Sequence, residues 1–324
     1  MRRREFLGAI GAATVWPHVA RAQQPRPLRR IGILADERWP PIDSLKQGLH
    51  NLGYVEGQNL EIVYRLAAGQ AERFPRLAAE LAALPVEVIV ALGTPASVAA
   101  KRATEAIPIV VQTGDPVAAG LVSDLAHPGG NVTGFSGQAA DAEGKRLGLL
   151  KELLPSLSRV AVLVNPANSF SMLALDSARS AVTALGLRVD AVEASSVADL
   201  VERALPALRS DRPDAVLVTA DRGPLMVARM GIAEFLTTNR LPSIFTFYEQ
   251  VQAGGLMAYV ANYHATYRRN AALVIDKIFK GTKAGDLPVQ QPTEFELILN
   301  LKTAKAIGLT IPPTLLARAD QVIE

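Results

Sequence analysis

The sequence predicts an α/β protein of two lobes, each built on a doubly wound parallel sheet, with the chain passing between them three times. Three observations predict it. Short apolar runs alternate with helix-length amphipathic segments throughout residues 28–324, the pattern of β-α-β units and parallel sheets. The alternation runs once to about Gly134 and then starts again. Nearly every apolar run ends in a polar turn rich in Gly, Pro, Asp or Asn, and in open parallel sheets ligands sit outside such strand ends.

The first half opens with Arg30 to Ala35 as a buried strand, closed by the polar loop Asp36 to Pro41. A helix carrying Leu45, Leu49 and Leu52 on one face stops at Gly53. Leu60 to Arg65 alternates as a strand, Ala71 to Leu84 reads as a helix, and Val86 to Leu92 as a strand closed by Gly93-Thr94-Pro95-Ala96-Ser97. A helix then runs to about Thr104. Ile109-Val110-Val111 is a buried strand ended by Gly114-Asp115-Pro116, with Pro116 placed to begin a short helix. Val132-Thr133-Gly134 is one more strand leaving for the second half.

In the second half, strands at 159–164, 187–192, 215–218 and from 242 alternate with helices at 143–154, 169–185, 197–208 and up to 238. Gly254 to Val260 is a further strand, His264 to Phe279 a helix, Glu294 to Asn300 a strand and Leu301 to Ile307 a short helix. Lobe 1 is expected to comprise 28–134 plus 248–291, and lobe 2 135–247 plus 292–324, with crossings near Gly134, Phe247 and Pro292. Three crossings make a bending hinge.

Residues 1–22 form a separate segment. Arg2-Arg3-Arg4-Glu5-Phe6-Leu7, a weakly apolar run and Ala20-Arg21-Ala22 give the n-, h- and c-regions of a cleaved export signal, twin-arginine-like at Arg3-Arg4. The segment carries the whole formal charge of +3. The remainder is near neutral, which removes the electrostatic basis for nucleic-acid binding. Zero cysteines exclude a disulfide scaffold and a thiol nucleophile. Export predicts a soluble protein in the periplasm.

Enzyme signatures fail in turn. No G-x-G-x-x-G follows a strand, Gly144-Lys145-Arg146 lacks the Ser or Thr of a phosphate loop, and Gly134-Phe135-Ser136-Gly137 is out of register for a nucleophile elbow. His50, His127 and His264 lack metal-ligand spacing. No catalysis, metal or cofactor is expected. Thr94, Ser97, Asn168 and Ser169 start helices, where they serve as plain caps or hold a polar ligand group at the positive helix end. Asp115 and Asp221 read as turn residues able to touch a ligand. Tyr248, Tyr259 and Tyr263 suit a core or an interface, whereas Trp39 lies in a polar strand-end loop, where burial against a ligand is the economical expectation.

The motifs Gly53-Tyr54-Val55-Glu56-Gly57-Gln58-Asn59, Gly114-Asp115-Pro116-Val117, Pro128 to Gly134, Gly254-Gly255-Leu256-Met257, Asp286-Leu287-Pro288-Val289 and Asn300 through Pro313 resemble, in order, those of the substrate-binding proteins of ABC uptake transporters, whose members include tryptophan and tyrosine binders. The resemblance implies two Rossmann-like lobes of the periplasmic binding protein type I fold, a small organic ligand such as an amino acid or an aromatic or other organic acid, and delivery to an ABC permease in the inner membrane. It places the turn at Gly93 to Ala96 and Asp115 on the first lobe's side of the cleft, and Asn168 and Asp221 on the second's. The candidate contacts are then Trp39, Thr94, Ala96, Ser97, Asp115, Asn168, Ser169, Asp221, Tyr248 and Asn262. Asn262 stands where relatives often carry an acid, so recognition of an amino group is not assumed. A ligand sensor signalling to a membrane receptor and a Rossmann-type enzyme are the alternatives that the residues leave open.

Overall fold

In a computed structural model, which describes residues 27–137, 139–292 and 294–324, two parallel-dominated sheets form the two lobes. The expected signal segment at 1–22 lies outside the described residues. The first sheet holds β1 (Arg29–Ala35), β2 (Leu60–Leu66), β3 (Val88–Leu92), β4 (Ile109–Thr113) and β5 (Val132–Ser136), ordered β2-β1-β3-β4-β5 and parallel throughout. β3, β4 and β5 are buried along their whole length, as strands covered on both faces must be.

The second sheet holds β6 (Arg159–Val164), β7 (Arg188–Glu193), β8 (Ala215–Val218), β9 (Ser243–Phe245), β10 (Met257–Ala261), β11 (Phe295–Asn300) and β12 (Gln321–Ile323). Its order is β12-β11-β10-β9-β8-β6-β7, with β11 antiparallel to β10. Each sheet has apolar side chains on both faces, so each lobe carries two cores, one per face. Among the described residues no helix is long and apolar enough to cross a membrane.

The crossing positions correct part of the expected lobe division. β10 pairs with β9 and β11, so the chain stays in the second lobe past Phe247 and leaves it only after Ala261. The helical run from Tyr263 to Phe279, with a π-type turn at Tyr267–Ala271, returns to the first lobe and packs on the helix Pro41–Asn51. A Cβ on Gly48 would overlap the carbonyl oxygen of Arg268; the two helices approach at a distance only glycine permits. Gln290 bridges to Phe135 at the end of β5 before the chain leaves for β11. The other two crossings therefore lie near 137 and 291–294.

A second correction concerns Pro116. No helix follows it: Asp115 Oδ1 accepts the amides of Val117 and Ala118, and the chain turns and stops at Gly120 with φ +67°. The side chain captures the first amides as an Asx turn, and no apolar periodic run follows to extend a helix.

Candidate functional site

The carboxyl ends of β1, β3 and β4 in the first lobe face those of β6 and β8 in the second. The loops there touch across the gap. Glu37 accepts two hydrogen bonds from Arg229 Nη1 at 2.8 and 3.0 Å. Phe170 lies against Gly114 so closely that a Cβ there would overlap its ring, and Gly93 comes within contact of Arg222. The lobes are closed on each other.

At the centre lies Arg222, 8% exposed. Its guanidinium carbon sits 3.4 Å from the centroid of the Trp39 ring and 4.2 Å from that of Phe247, a cation held between two aromatic faces from opposite lobes. Tyr263 completes the enclosure at 5.9 Å. Trp39, 3% exposed, meets Tyr263 and Tyr267 edge-on at 5.2 and 5.0 Å and donates from Nε1 to Glu249 Oε1 at 2.6 Å. The space left in the cleft is about 30 Å³, lined by Thr94, Gln112, Thr113, Asn168, Phe170 and Arg222, among others. That volume holds little more than a water or a carboxylate-sized group.

The surrounding polar groups are mostly committed to one another. Thr94 Oγ1 and Thr113 Oγ1 share a hydrogen bond of 2.7 Å. Asn168 caps the helix Ser169–Leu185 through the amide of Phe170 and donates from Nδ2 to Asp221 Oδ1. Asp221 also accepts from Asn165 Nδ2 and the amide of Leu225. Burial pushes this carboxyl above its ordinary range, and the same hydrogen bonds hold it back. Asp36, facing it from the first lobe, accepts the amide of Gly69 and is pushed up to about 7, first by burial and second by the charge of Asp221.

The ten sequence candidates therefore separate. Thr94 and Asn168 line the cleft, and Trp39 stacks on Arg222, which lines it too. Asp221 is a buried latch beneath the cleft loop. The expectation that Trp39 needs a ligand to bury it is corrected, because Arg222, Tyr263, Tyr267 and Glu249 already do so. Ala96 packs in the first lobe's core, and Ser97 Oγ is spent on the carbonyl of Gly93 at 2.8 Å. The Asp115 carboxylate is spent on its own turn, and Ser169 is exposed.

Tyr248 and Asn262 line a second, larger cavity of about 300 Å³ at the hinge, with Glu249, Tyr263, His264 and Glu296. There Asn262 caps the returning helix through the amide of Ala265 and donates to Glu296. Sequence reasoning missed Arg222, Phe170 and Phe247. Arg222 follows Asp221 in a strand-end loop already marked as polar, and that position was the available signal.

Comparison with known proteins places this geometry. A family model described as ABC transporter substrate binding protein matches residues 35–323. A tyrosine-binding protein of Clostridioides difficile is 30% identical over 287 residues, 87% of this chain and 81% of that protein. Among solved structures, a conserved domain protein from Vibrio cholerae is 27% identical with a TM-score of 0.84, covering 91% of this chain and 99% of its own. An ABC domain in complex with L-Trp from Streptococcus pneumonia, 26% identical, reaches 0.83 and covers 91% and 100%. A ligand-free, open substrate-binding protein from Clostridium difficile has the same identity and covers 91% and 99%, but reaches only 0.63. At equal identity and coverage the higher score belongs to the ligand complex, in keeping with the closed lobes seen here.

Proposed function

The chain belongs to the ABC transporter substrate-binding protein family, and from that premise we propose that it captures an amino acid or another small organic acid in the exported compartment and hands it to an inner-membrane permease without chemical change. The solute-binding role is the family's. The observation that carries the reading for this chain is the closed cleft at the strand ends, where Trp39 of one lobe and Phe247 of the other hold the Arg222 guanidinium between them. Phe170, Phe247 and Tyr263, which line the cleft, offer ring surface to a flat or apolar part of a solute, and three crossings allow the lobes to part and re-close around it.

The relatives named for tyrosine and bound to L-Trp make aromatic amino acids the first ligands to test. The aromatic wall supports them. Asn262, committed to Glu296 and Ala265, offers no carboxylate to an amino group, which keeps aromatic acids without an amine in the same panel. Delivery to a permease follows from closure, which sets one surface across both lobes only in the loaded state.

The test is titration of the protein with amino acids, aromatic acids, other carboxylates and sugars, following thermal midpoint and small-angle scattering together. A ligand at about 100 times its dissociation constant should stabilise the fold by about 2.7 kcal/mol and compact the protein. Stabilisation without compaction would remove lobe closure from the account, and conversion of the bound solute would remove the binding-only reading.

A further inference from the structure

Arg222 presents a problem that the protein's own groups do not solve. Its Nε and Nη2 are buried and have no acceptor. These two nitrogens share one edge of the guanidinium plane, and their hydrogens point the same way, forming a fork that matches the two oxygens of a carboxylate. The guanidinium stays charged in proteins, and a buried unpaired charge is among the costliest things a fold can hold.

The nearby carboxylates are engaged elsewhere. Asp221 is taken by Asn165, Asn168 and Leu225, Glu249 by Trp39, Glu37 by Arg229, and Asp36, which feels the charge of Arg222, accepts the amide of Gly69. The cleft hydroxyls of Thr94 and Thr113 are taken by each other. Trp39 and Phe247 fix the plane of the guanidinium from both sides, so the open edge has a defined direction.

We infer that the captured solute carries an anionic group, a carboxylate, which the Nε–Nη2 edge of Arg222 receives, and that this group is what makes closure of the lobes favourable. The inference rests on the solute-capture reading above and names the substrate class of the same cleft. The arrangement makes closure conditional. Without the anion, closing buries a charge with an empty edge. With it, the same movement completes a bidentate pair between two rings. The remaining cleft volume of about 30 Å³ suits the acid head alone, so the body of the solute enters by displacing side chains or by a slightly wider closure.

The experiment uses matched pairs: formate, acetate, benzoate, indole-3-acetate and L-tryptophan against the corresponding amides, at fixed pH and ionic strength. Calorimetric affinity and thermal midpoint are read on the wild type, Arg222→Lys, Arg222→Gln and Arg222→Met. At least one acid should bind the wild type about 30-fold or more tightly than its amide, the fold-change that loss of a buried charge pair produces. Arg222→Gln should lose that preference, and Arg222→Lys should keep part of it. Arg222→Met fills the space between the rings and serves if Arg222→Gln does not fold.

The inference is overturned if an amide matches its acid, if the variants hold the acid as tightly as the wild type, or if no acid binds. Mass spectrometry of solute released from purified wild type and variant separates this from the broader reading. A neutral solute recovered from both defeats the anion and leaves capture standing. A protein from which nothing is released and which no panel compound stabilises defeats capture as well.

Discussion

Phe170 of the second lobe fills the position that a side chain on Gly114 of the first would occupy. The contact exists only when the lobes meet, so Gly114 is glycine for the sake of closure and not of backbone conformation. Gly114→Ala should leave thermal stability nearly unchanged and weaken solute binding at least about tenfold, because closure must then displace an aromatic ring. Scattering on the loaded variant checks it. A variant that closes and binds like the wild type would show that Phe170 moves away freely.

Trp39 and Glu249 form a hydrogen bond of 2.6 Å in a buried setting. Trp39→Phe keeps a ring beside Arg222 but leaves Glu249 Oε1 without that donor. The cost should be about 1–3 kcal/mol, and Glu249→Gln should cost less. A double-mutant cycle by denaturant unfolding measures the coupling, and additive losses would mean that the bond contributes nothing of its own.

Asp36 sets an expectation for pH. Its pKa, raised in the fold to about 7 from 3.8, means that the folded protein holds the proton more tightly than the unfolded chain. The stability this supplies is full below the unfolded value and is lost as pH rises through about 7. The thermal midpoint should therefore fall between pH 5 and pH 8. Asp36→Asn should flatten that slope and gain most over the wild type above pH 7. Glu143, raised to about 7 by burial against the pull of Arg146, adds a slope of the same sign, so the variant should not be entirely flat. An Asp36→Asn slope equal to that of the wild type would exclude Asp36 as a source.

Arg146 ties a helix of the second lobe to that lobe's sheet. From the helix Ala139–Leu153 it reaches the buried Glu143 at 2.6 Å and donates from Nε and Nη2 to the carbonyl of Tyr259 in β10. Arg146→Met leaves Glu143 buried without its partner and should cost about 1–3 kcal/mol, the carboxyl taking up a proton because only Arg146 was holding it down. Adding Glu143→Leu should return much of it, since no buried polar group is then left without a partner. Unfolding in urea reads both, and a double variant no better than the single one would locate the loss in the Tyr259 contact.

The alternation of apolar runs and polar turns made most strands of both sheets legible, because buried parallel strands leave an uninterrupted apolar signature. Lobe membership was less legible. β10 is as apolar as its neighbours, and nothing in Met257 to Ala261 says that it pairs between β9 and β11. Pro116 looked like a helix start because proline favours that position, but Asp115 took the amides first.

At the site, Thr94 and Asn168 were legible as polar residues at helix starts. Ser97 and Ser169 have the same composition and fail for reasons of direction alone: one hydroxyl turns back to Gly93 and the other residue faces solvent. Arg222 went unread because a cationic residue in a turn is ordinarily solvated. Its burial depends on two rings contributed by the other side of a cleft and by a loop 25 positions on, which sequence spacing does not reveal.

The first lobe takes part of the helical layer over one face of its sheet from the far end of the chain. Tyr267, Ile275 and Phe279 sit in the same core as Ile31 and Leu45, and Arg29 donates to the carbonyl of Phe279 across 250 residues. During synthesis, that face of the sheet of β1 to β5 is covered only in part, by the helix Pro41–Asn51, until the run from Tyr263 has left the ribosome. The second lobe likewise awaits β11 and β12. Both lobes thus need the last third of the chain to complete their cores and sheets, and a cleft lined by residues no later than Tyr263 is held together by segments that leave the ribosome after them.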